Sequence, residues 1–355
     1  MEKVDRELKA DLLIVGGGGA GLRAAIEAAR AGARVILVSK GPLCRSGATV
    51  TASFSIQAAF DPRDSSRLHF EDTVRVGRGL AEEPLVKALA EDAPERLLEL
   101  SEMDTPFERL EGGRFRQVQL AGQSLPRSLV ISRCAYGLMV ALARELARYR
   151  EVEVWEDAMA VSLLSGGSRV SGALVFDIRT GELALIRAGA TLLATGGYMA
   201  LWSFNDAPPD LTGEGQVLAL RAGAELIDLE MMQFYPTVIC HPPGARGHLF
   251  SYDRARHPEM LGGRILNGLG ETFFEGRPTR DELLRLILKE VAEGRGSPHG
   301  GVFIDLTHSP HPPSHVEKML RQTPAAFGLL RQLGVDMRKE PFEVAPGAHF
   351  ACGGV

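Results

Sequence analysis

Hydrophobic positions along this chain follow two rhythms. From residue 11 the apolar run DLLIV stops at a cluster of glycines, AGLRAAIEAARAG follows with apolar residues at three- and four-residue intervals, and ARVILVS closes the series. Short apolar runs bounded by glycine predict buried strands, and the 3.6-residue period between them predicts a helix. Strand, helix and strand together take about 30 residues, the length of one crossover between parallel strands. Helical spacing returns in EPLVKALAEDAPERLLELSEM and RCAYGLMVALARELARY. After residue 150 the apolar runs shorten to VEVWED, AVSLL, VSGALVFD and ATLLATGG. Ser165, Gly166 and Gly167, then Thr180 and Gly181, supply turns between them, which predicts a β-meander delivered back to the first sheet.

The texture changes near residue 235. YPTVICHPPGARGHLF and LTHSPHPPSH are rich in Pro, Gly and His, and between them TRDELLRLILKEV sets Leu283, Leu286, Ile287 and Val291 at helical spacing. Thr279 and Glu282 stand in the reciprocal arrangement of a capping box, so the helix is predicted to start at Thr279. Asp281 and Glu282 suit the positive end of the helix dipole. Arg280 does not, because an exposed cation in the first turn opposes the dipole by about 0.3–1 kcal/mol. The residues alone leave two explanations open, an ordinary surface arginine or one placed for chemistry. The texture predicts a separate smaller unit over roughly 235 to 349, and the terminal APGAHFACGGV reads as a chain cut in mid-element.

Composition narrows the function. The chain has 355 residues, 45% hydrophobic and 24% charged, with a formal charge of −5. Those values fit a soluble protein of two ordinary domains with a substantial core. They give no electrostatic reason to expect nucleic acid or an anionic membrane as partner. No apolar stretch approaches the roughly 18–20 residues of a membrane span. The charged start, MEKVDRELKADLLIV, lacks the apolar core of a signal peptide, so a cytoplasmic protein is expected. Cys44, Cys134, Cys240 and Cys352 are far apart, with no CxxC pair. Neither a disulfide framework nor a zinc or iron–sulfur site is expected, and any metal centre would belong to a partner.

The chemistry-bearing signal is VGGGGAGLRAA. Gly16, Gly18 and Gly21 form GxGxxG between a predicted strand and helix, the context that makes a weak pattern a dinucleotide-binding one. Gly16 permits the tight turn, Gly18 lets the backbone approach a pyrophosphate, Gly21 lets helix and strand close up, and N–H groups at the helix start hold the phosphates. A plain NAD dehydrogenase has an acidic residue at the end of the second strand. This chain has Ser39, able to accept from a ribose hydroxyl, and Lys40, able to meet a phosphate. A second glycine turn, Thr195-Gly196-Gly197, follows a strand more than 150 residues later. Two such turns in one chain point to FAD, one strand end holding the pyrophosphate and the other closing over the cofactor.

With these motifs in place, several stretches together resemble one family, the flavoprotein subunits of succinate dehydrogenase and fumarate reductase together with L-aspartate oxidase. They are VGGGGAGLRAA, LVSKGPLCRSGAT, LLATGGY, TGEGQVLALRAGAEL, MMQFYPT, GGRILNGLGETFF, TRDELLRLILKEV, VFIDLTH and GAHFACGGV, in the family's order from residue 11 to residue 355. The resemblance implies an α/β fold: a Rossmann-like FAD-binding domain with a parallel sheet and a β-meander, interrupted by a smaller α+β capping domain. The expected boundaries are 1–234 for the FAD-binding domain, 235–349 for the capping (substrate) domain, and 350–355 for the start of a return to the FAD domain. The family continues past His349 with a further substrate arginine and another glycine-rich turn, so a C-terminally truncated chain is expected. Implied FAD contacts are Gly16, Gly18, Gly19, Ala20, Gly21, Ser39, Lys40, Ser46, Gly47, Thr49, Ala158, Thr195, Gly196, Gly197 and Glu214. Gly47 and Ala48 stand where respiratory members carry a flavin-linking histidine, so FAD is expected to be non-covalent.

Arg280-Asp281 resembles a pair at the start of a capping-domain helix whose arginine gives a proton to the substrate carbon during fumarate reduction. An arginine with a pKa above about 12 is a poor acid in water, so burial and a relay would have to assist it. His349 matches a histidine that binds a substrate carboxylate. The chain also departs from the pattern. Tyr235 in QFYPT replaces a substrate-binding histidine with an uncharged donor, and Glu214 replaces an aspartate beside the flavin. Arg256 and Glu259 lie near the family's relay glutamate and arginine in reversed order, as a swapped acid–base pair or as a solvated charge cluster.

The implied function is FAD-dependent hydride transfer with a small dicarboxylate of the fumarate/succinate type. An iron–sulfur subunit is the implied electron partner, and the protein would meet a membrane only through such a partner. L-aspartate oxidase is an alternative that non-covalent FAD favours, although LAGQSLPRSLVISRC offers no clear acidic residue for an amino group. A flavin-binding subunit without catalysis is another, favoured by Tyr235, the altered relay and the early end.

Overall fold

The computed structural model describes residues 4–52, 55–120, 122–132, 134–167, 169–276, 278–321 and 324–355. The chain divides into two compact units, Met1–Gly196 with Gly213–Glu225, and Gly197–Thr212 with Leu226–Val355.

The first unit opens with β1 (Arg6–Val15), α1 (Gly19–Arg30) and β2 (Val35–Val38). The two strands pair in parallel from Leu12 opposite Val35 to Val15 opposite Val38. Every residue of β2 is buried, as a strand covered on both faces requires. Then follow α2 (Ala48–Thr51), β3 (Ser55–Gln57), α3 (Ser66–Gly77), α4 (Glu83–Glu102), β4 (Gln117–Val118), β5 (Ser128–Val130) and α5 (Cys134–Leu146). Arg133, with which the expected form of α5 begins, lies outside the described residues. The strands β6 (Val152–Trp155), β7 (Ala158–Gly166), β8 (Arg169–Asp177) and β9 (Leu183–Leu193) come next, and α6 (Glu214–Arg221) completes the unit.

The main sheet has the order β6-β2-β1-β9-β8-β7. The first four strands are parallel, and β9, β8 and β7 form the antiparallel meander. The meander does return to the first strand: β9 runs along β1 from Ala184 opposite Arg6 to Leu193 opposite Val15. This makes β1 five residues longer at its start than DLLIV suggests. Arg6–Ala10 pair with β9, whereas the register with β2 begins only at Leu12. With one edge open there, Arg6, Glu7 and Lys9 stay exposed while Ala10 is buried, so a charged lead-in is accommodated as strand. Alternate residues of the sheet feed two cores. Ile14, Val35 and Leu37 join Leu22, Ile26, Met139 and Leu142 on one face; Leu13, Ile36 and Val38 join Val175 and Ile186 on the other.

The second unit contains β10 (Met232–Ile239), α7 (Tyr252–Arg256), β11 (Arg264–Leu266), α8 (Arg280–Ala292), β12 (Val302–Asp305), α9 (Pro313–Leu320), α10 (Pro324–Gln332) and β13 (Phe342–Ala351). Its sheet has the order β10-β13-β12-β11 and is antiparallel throughout. Leu283 and Ile287 of α8 are wholly buried in one core with Val302, Ile304 and Val344. The capping box forms at its start, where the Glu282 carboxylate accepts from the Thr279 N–H at 2.8 Å. The texture change at residue 235 falls inside β10. The segment 197–212 comes to this unit through β13: Asn205 bridges to Ala348, the Asp206 N–H donates to the Ala348 carbonyl, and the Ala348 N–H donates to the Phe204 carbonyl. Among the described residues no helix is long and apolar enough to cross a membrane, and no cluster of three or more His, Cys, Asp or Glu could hold a metal.

Candidate functional site

In the first unit the glycine turn links β1 to α1 where the chain must double back tightly. Gly16 has φ of +120°, a region open to glycine. A Cβ on Gly16 would lie 2.2 Å from the Ala194 carbonyl oxygen, and one on Gly21 would lie 1.8 Å from that of Gly16. The start of α1 carries no side-chain cap from Gly18. The Gly19 N–H donates to Thr49 Oγ1 at 3.1 Å, so α2 steadies the turn. The remaining first-turn N–H groups have no intrahelical partners, which is the arrangement that receives an anion. Ala20, in that first turn, is exposed.

Around this turn lie the other residues expected to meet the cofactor. Ser39, at the end of β2, is buried and donates to the Gly41 carbonyl at 2.7 Å, which leaves its oxygen free to accept. Lys40 pairs with Glu214 at 2.8 Å, so two residues expected at the cofactor bind each other. Ser46 donates to the Pro42 carbonyl, Gly47 caps α2 at φ +78°, and the Ala158 N–H donates to the Ser39 carbonyl. Past β9, the Ala194 N–H donates to the Val15 carbonyl, and Thr195 Oγ1 sits where a Cβ on Gly215 would be, 1.7 Å away. The second glycine turn and the start of α6 therefore join the first turn. Gln216, which sequence reasoning missed, donates to the Gly196 carbonyl while its own amide oxygen is buried without a partner. Gly197 belongs to the second unit, where a Cβ would lie 2.6 Å from the Met199 sulfur.

In the second unit, Arg280 is only partly exposed, at the first position of α8. Its guanidinium donates to Gln233 Oε1 of β10 at 2.8 Å and lies 4.9 Å from the centre of the Tyr235 ring. It also reaches the Tyr252 hydroxyl on α7. Tyr235 and Tyr252 are buried with ring centres 5.9 Å apart. Burial outweighs the opposing charge of Arg280 and pushes the Tyr235 phenol up to about 12, and burial raises Tyr252 further. Both are therefore neutral hydrogen-bonding groups at physiological pH. Tyr235 also meets His349 of β13, ring centres 5.3 Å apart, and His349 Nδ1 is 2.8 Å from Asp206 Oδ2. Arg280, Tyr235 and His349 are thus brought together, with Gln233, Tyr252 and Asp206 as members not anticipated from the sequence. Arg256 donates to the Gly276 carbonyl and lies over the Phe274 ring, whereas the Glu259 N–H bonds His257 Nδ1. Tyr252, Asp253, Arg256, His257, Pro278 and Leu283 line a cavity of about 50 Å³.

The family described as FAD binding domain matches residues 11–355. The chain belongs to the FAD-binding domain family. Among its relatives, a fumarate reductase (CoM/CoB) subunit of Methanothermobacter marburgensis is 39% identical over 97% of this chain and 63% of that protein. L-aspartate oxidase of Vibrio cholerae is 32% identical over 99% of this chain and 66% of that protein. Among solved structures, Mycobacterium smegmatis Sdh1 in complex with UQ1 superposes with a TM-score of 0.88 at 31% identity, covering 98% of this chain and 60% of that one. The chain accordingly spans a little under two thirds of the length of these proteins. FAD is the cofactor of this FAD-binding domain, and the glycine cradle, the free first-turn N–H groups and the orphaned Gln216 oxygen suit it.

Proposed function

We propose that this member of the FAD-binding domain family is the flavoprotein of an oxidoreductase that moves a hydride between FAD and a small dicarboxylate of the fumarate/succinate type. The observation that carries the reading is Arg280, drawn off the surface at a capped helix start to lie between Gln233 and the face of Tyr235. The first unit binds FAD, and the second is the capping domain with the substrate residues. FAD, when bound, supplies the hydride chemistry. Arg280 gives or takes the proton at a substrate carbon, held at a fixed angle by Gln233 and the ring below it. Tyr235, a phenol that stays protonated, and His349 donate to the substrate carboxylates. Tyr252 and the cavity it shares with Asp253 and Arg256, wide enough for water, offer the proton a path to Arg280. On this reading the electron partner is an iron–sulfur subunit, and a relative that is itself named as a subunit supports it.

The test is turnover by the FAD-loaded full-length protein on three pairs: fumarate with a reduced dye, succinate with an artificial acceptor, and L-aspartate with oxygen. Activity on the first two supports the proposal. Activity on the third alone would make the protein an L-aspartate oxidase, and none at all would make it a subunit without catalysis of its own. With Ala48 beside Thr49 on α2 and no histidine in that segment, FAD is expected to be non-covalent. On acid precipitation the yellow colour should remain in the supernatant, and a yellow pellet would refute this.

A further inference from the structure

We propose that Asp206 is a positioning residue for the substrate site: it keeps a proton on His349 Nδ1 and so fixes Nε2 as the nitrogen offered to a substrate carboxylate. The inference rests on the dicarboxylate reading above. An ionised carboxylate only accepts, so across the 2.8 Å contact from Asp206 Oδ2 the hydrogen sits on His349 Nδ1 in both charge states of the ring. Nε2 is then the nitrogen that faces the site. In the neutral ring it presents a lone pair, which repels a carboxylate; in the imidazolium it presents an N–H, which binds one. Substrate capture through His349 consequently requires the imidazolium.

The geometry gives Asp206 little freedom to do otherwise. Its side chain is 7% exposed. Its backbone N–H is tied at 3.2 Å to the carbonyl of Ala348, the residue before His349, and the Ala348 N–H returns to the Phe204 carbonyl at 3.1 Å. Asn205 braces the same turn, donating to the Trp202 carbonyl and accepting from the Ala207 N–H. Carboxylate and imidazole are therefore carried on two backbones that are hydrogen-bonded to each other beside the contact. The His349 ring is tilted against those of Tyr235 and Phe350, with centres 5.3 and 5.5 Å away. The titratable groups around it are Asp206 from the 197–212 segment and Tyr235 from β10. Arg280 of α8 and Tyr252 and Asp253 of α7 lie on the Tyr235 side.

Asp206→Asn separates positioning from packing because it keeps shape but can donate. An amide N–H turned to Nδ1 moves the ring proton of neutral His349 to Nε2, which then donates without an added charge, whereas an amide oxygen turned there leaves it on Nδ1. The probe is malonate, a dicarboxylate that cannot be dehydrogenated to an alkene, titrated into the FAD-loaded full chain. In the wild type, malonate affinity should fall as pH is raised and the imidazolium is lost. In Asp206→Asn the fall should flatten. In Asp206→Ala affinity should drop about tenfold at low pH through loss of a charge-assisted hydrogen bond. The second readout is ¹⁵N NMR of labelled histidine, with His349 assigned by its loss in His349→Gln: the neutral ring should carry its proton on Nδ1 in the wild type and on Nε2 in Asp206→Asn. A wild-type ring protonated on Nε2, or an Asp206→Asn ring protonated on Nε2 whose malonate profile still tracks the wild type, overturns the inference. If the wild type binds no malonate yet the tautomer switches with Asp206→Asn, the dicarboxylate reading fails and the control of His349 by Asp206 stands.

Discussion

Arg280→Lys in the FAD-loaded full-length protein should lower turnover of fumarate by roughly 10²- to 10⁴-fold, the range of a lost general acid, with flavin content unchanged. The charge is retained, so the defect comes from geometry. A guanidinium is a planar fork that can donate to Gln233 at 2.8 Å while lying over the Tyr235 ring and reaching Tyr252. An ammonium is a hydrated point charge on a flexible stem and cannot hold all three contacts at once. The proton would leave from a different place at a different angle, and catalysis is sensitive to such displacements. Because attraction for a dicarboxylate survives, KM should move far less than kcat, and the flavin-to-protein absorbance ratio should stay at the wild-type value. The melting temperature should also hold, since Thr279 and Glu282 still cap α8. Near-normal kcat would return Arg280 to an incidental role at a helix start.

The start of α8 was legible in the sequence because a capping box is a local code: its two members are three residues apart and need nothing else. The partners that make Arg280 more than a surface cation are not local. Gln233 is 47 residues away and Asp206 is 143 residues from His349: the first contact depends on α8 packing beside β10 and the second on the pairing of the 205–206 backbone with Ala348 of β13, whose register with β10 contains bulges that no period of two foresees. The βαβ unit and its glycine turn were legible for the opposite reason, being one continuous stretch in which each glycine answers a steric need. Residues 6–10 were not, since an open strand edge tolerates the same charged residues as a loop. The segment 197–212 has a composition like that of its neighbours, and its place in the second unit is set by backbone pairing to Ala348. The reversed Arg256 and Glu259 had two readings in the sequence. In the fold, Arg256 is turned toward Gly276 and Phe274 and toward the cavity under Tyr252.

Arg127→Ala should be among the most destabilising single changes in the first unit, although Arg127 in SLPRSLV carries no outward sign of it. Arg127 is 0% exposed and spans two carboxylates: Nε and Nη2 donate to Asp64 at 3.0 and 2.8 Å, and Nη1 donates to Asp72 at 2.6 Å. These contacts bind the residue before β5 to the start and body of α3. Truncation takes the Arg127 cation from two buried carboxylates, of which Asp72 keeps only Arg75 at the surface, and this costs about 3–5 kcal/mol. For a unit of this size that corresponds to a fall in melting temperature of roughly 6–20 °C at neutral pH. Acidity supplies the sharper test. Burial pushes the Asp72 carboxyl up, but donors from Ser124, Arg75 and Arg127 outweigh it and hold it well below the usual carboxylate range. A depressed folded-state pKa contributes stability that is complete above the unfolded value of about 3.9 and is lost as pH falls through the folded one. The wild type should therefore keep this contribution down to about pH 4. In Arg127→Ala the Asp72 carboxyl loses one of the donors that hold it down and takes up a proton at higher pH, which relieves its burial. His69, buried beside the cluster and held below its usual pKa by burial and by the charge of Arg127, is then freer to protonate as well. The gap in melting temperature between wild type and variant, followed by circular dichroism, should be widest near pH 7 and narrow toward pH 4. A gap under about 2 °C at neutral pH, below what the loss of even 1 kcal/mol would give, or one that widens on acidification, would mean that the cluster does not tie α3 to β5 in the way its geometry indicates.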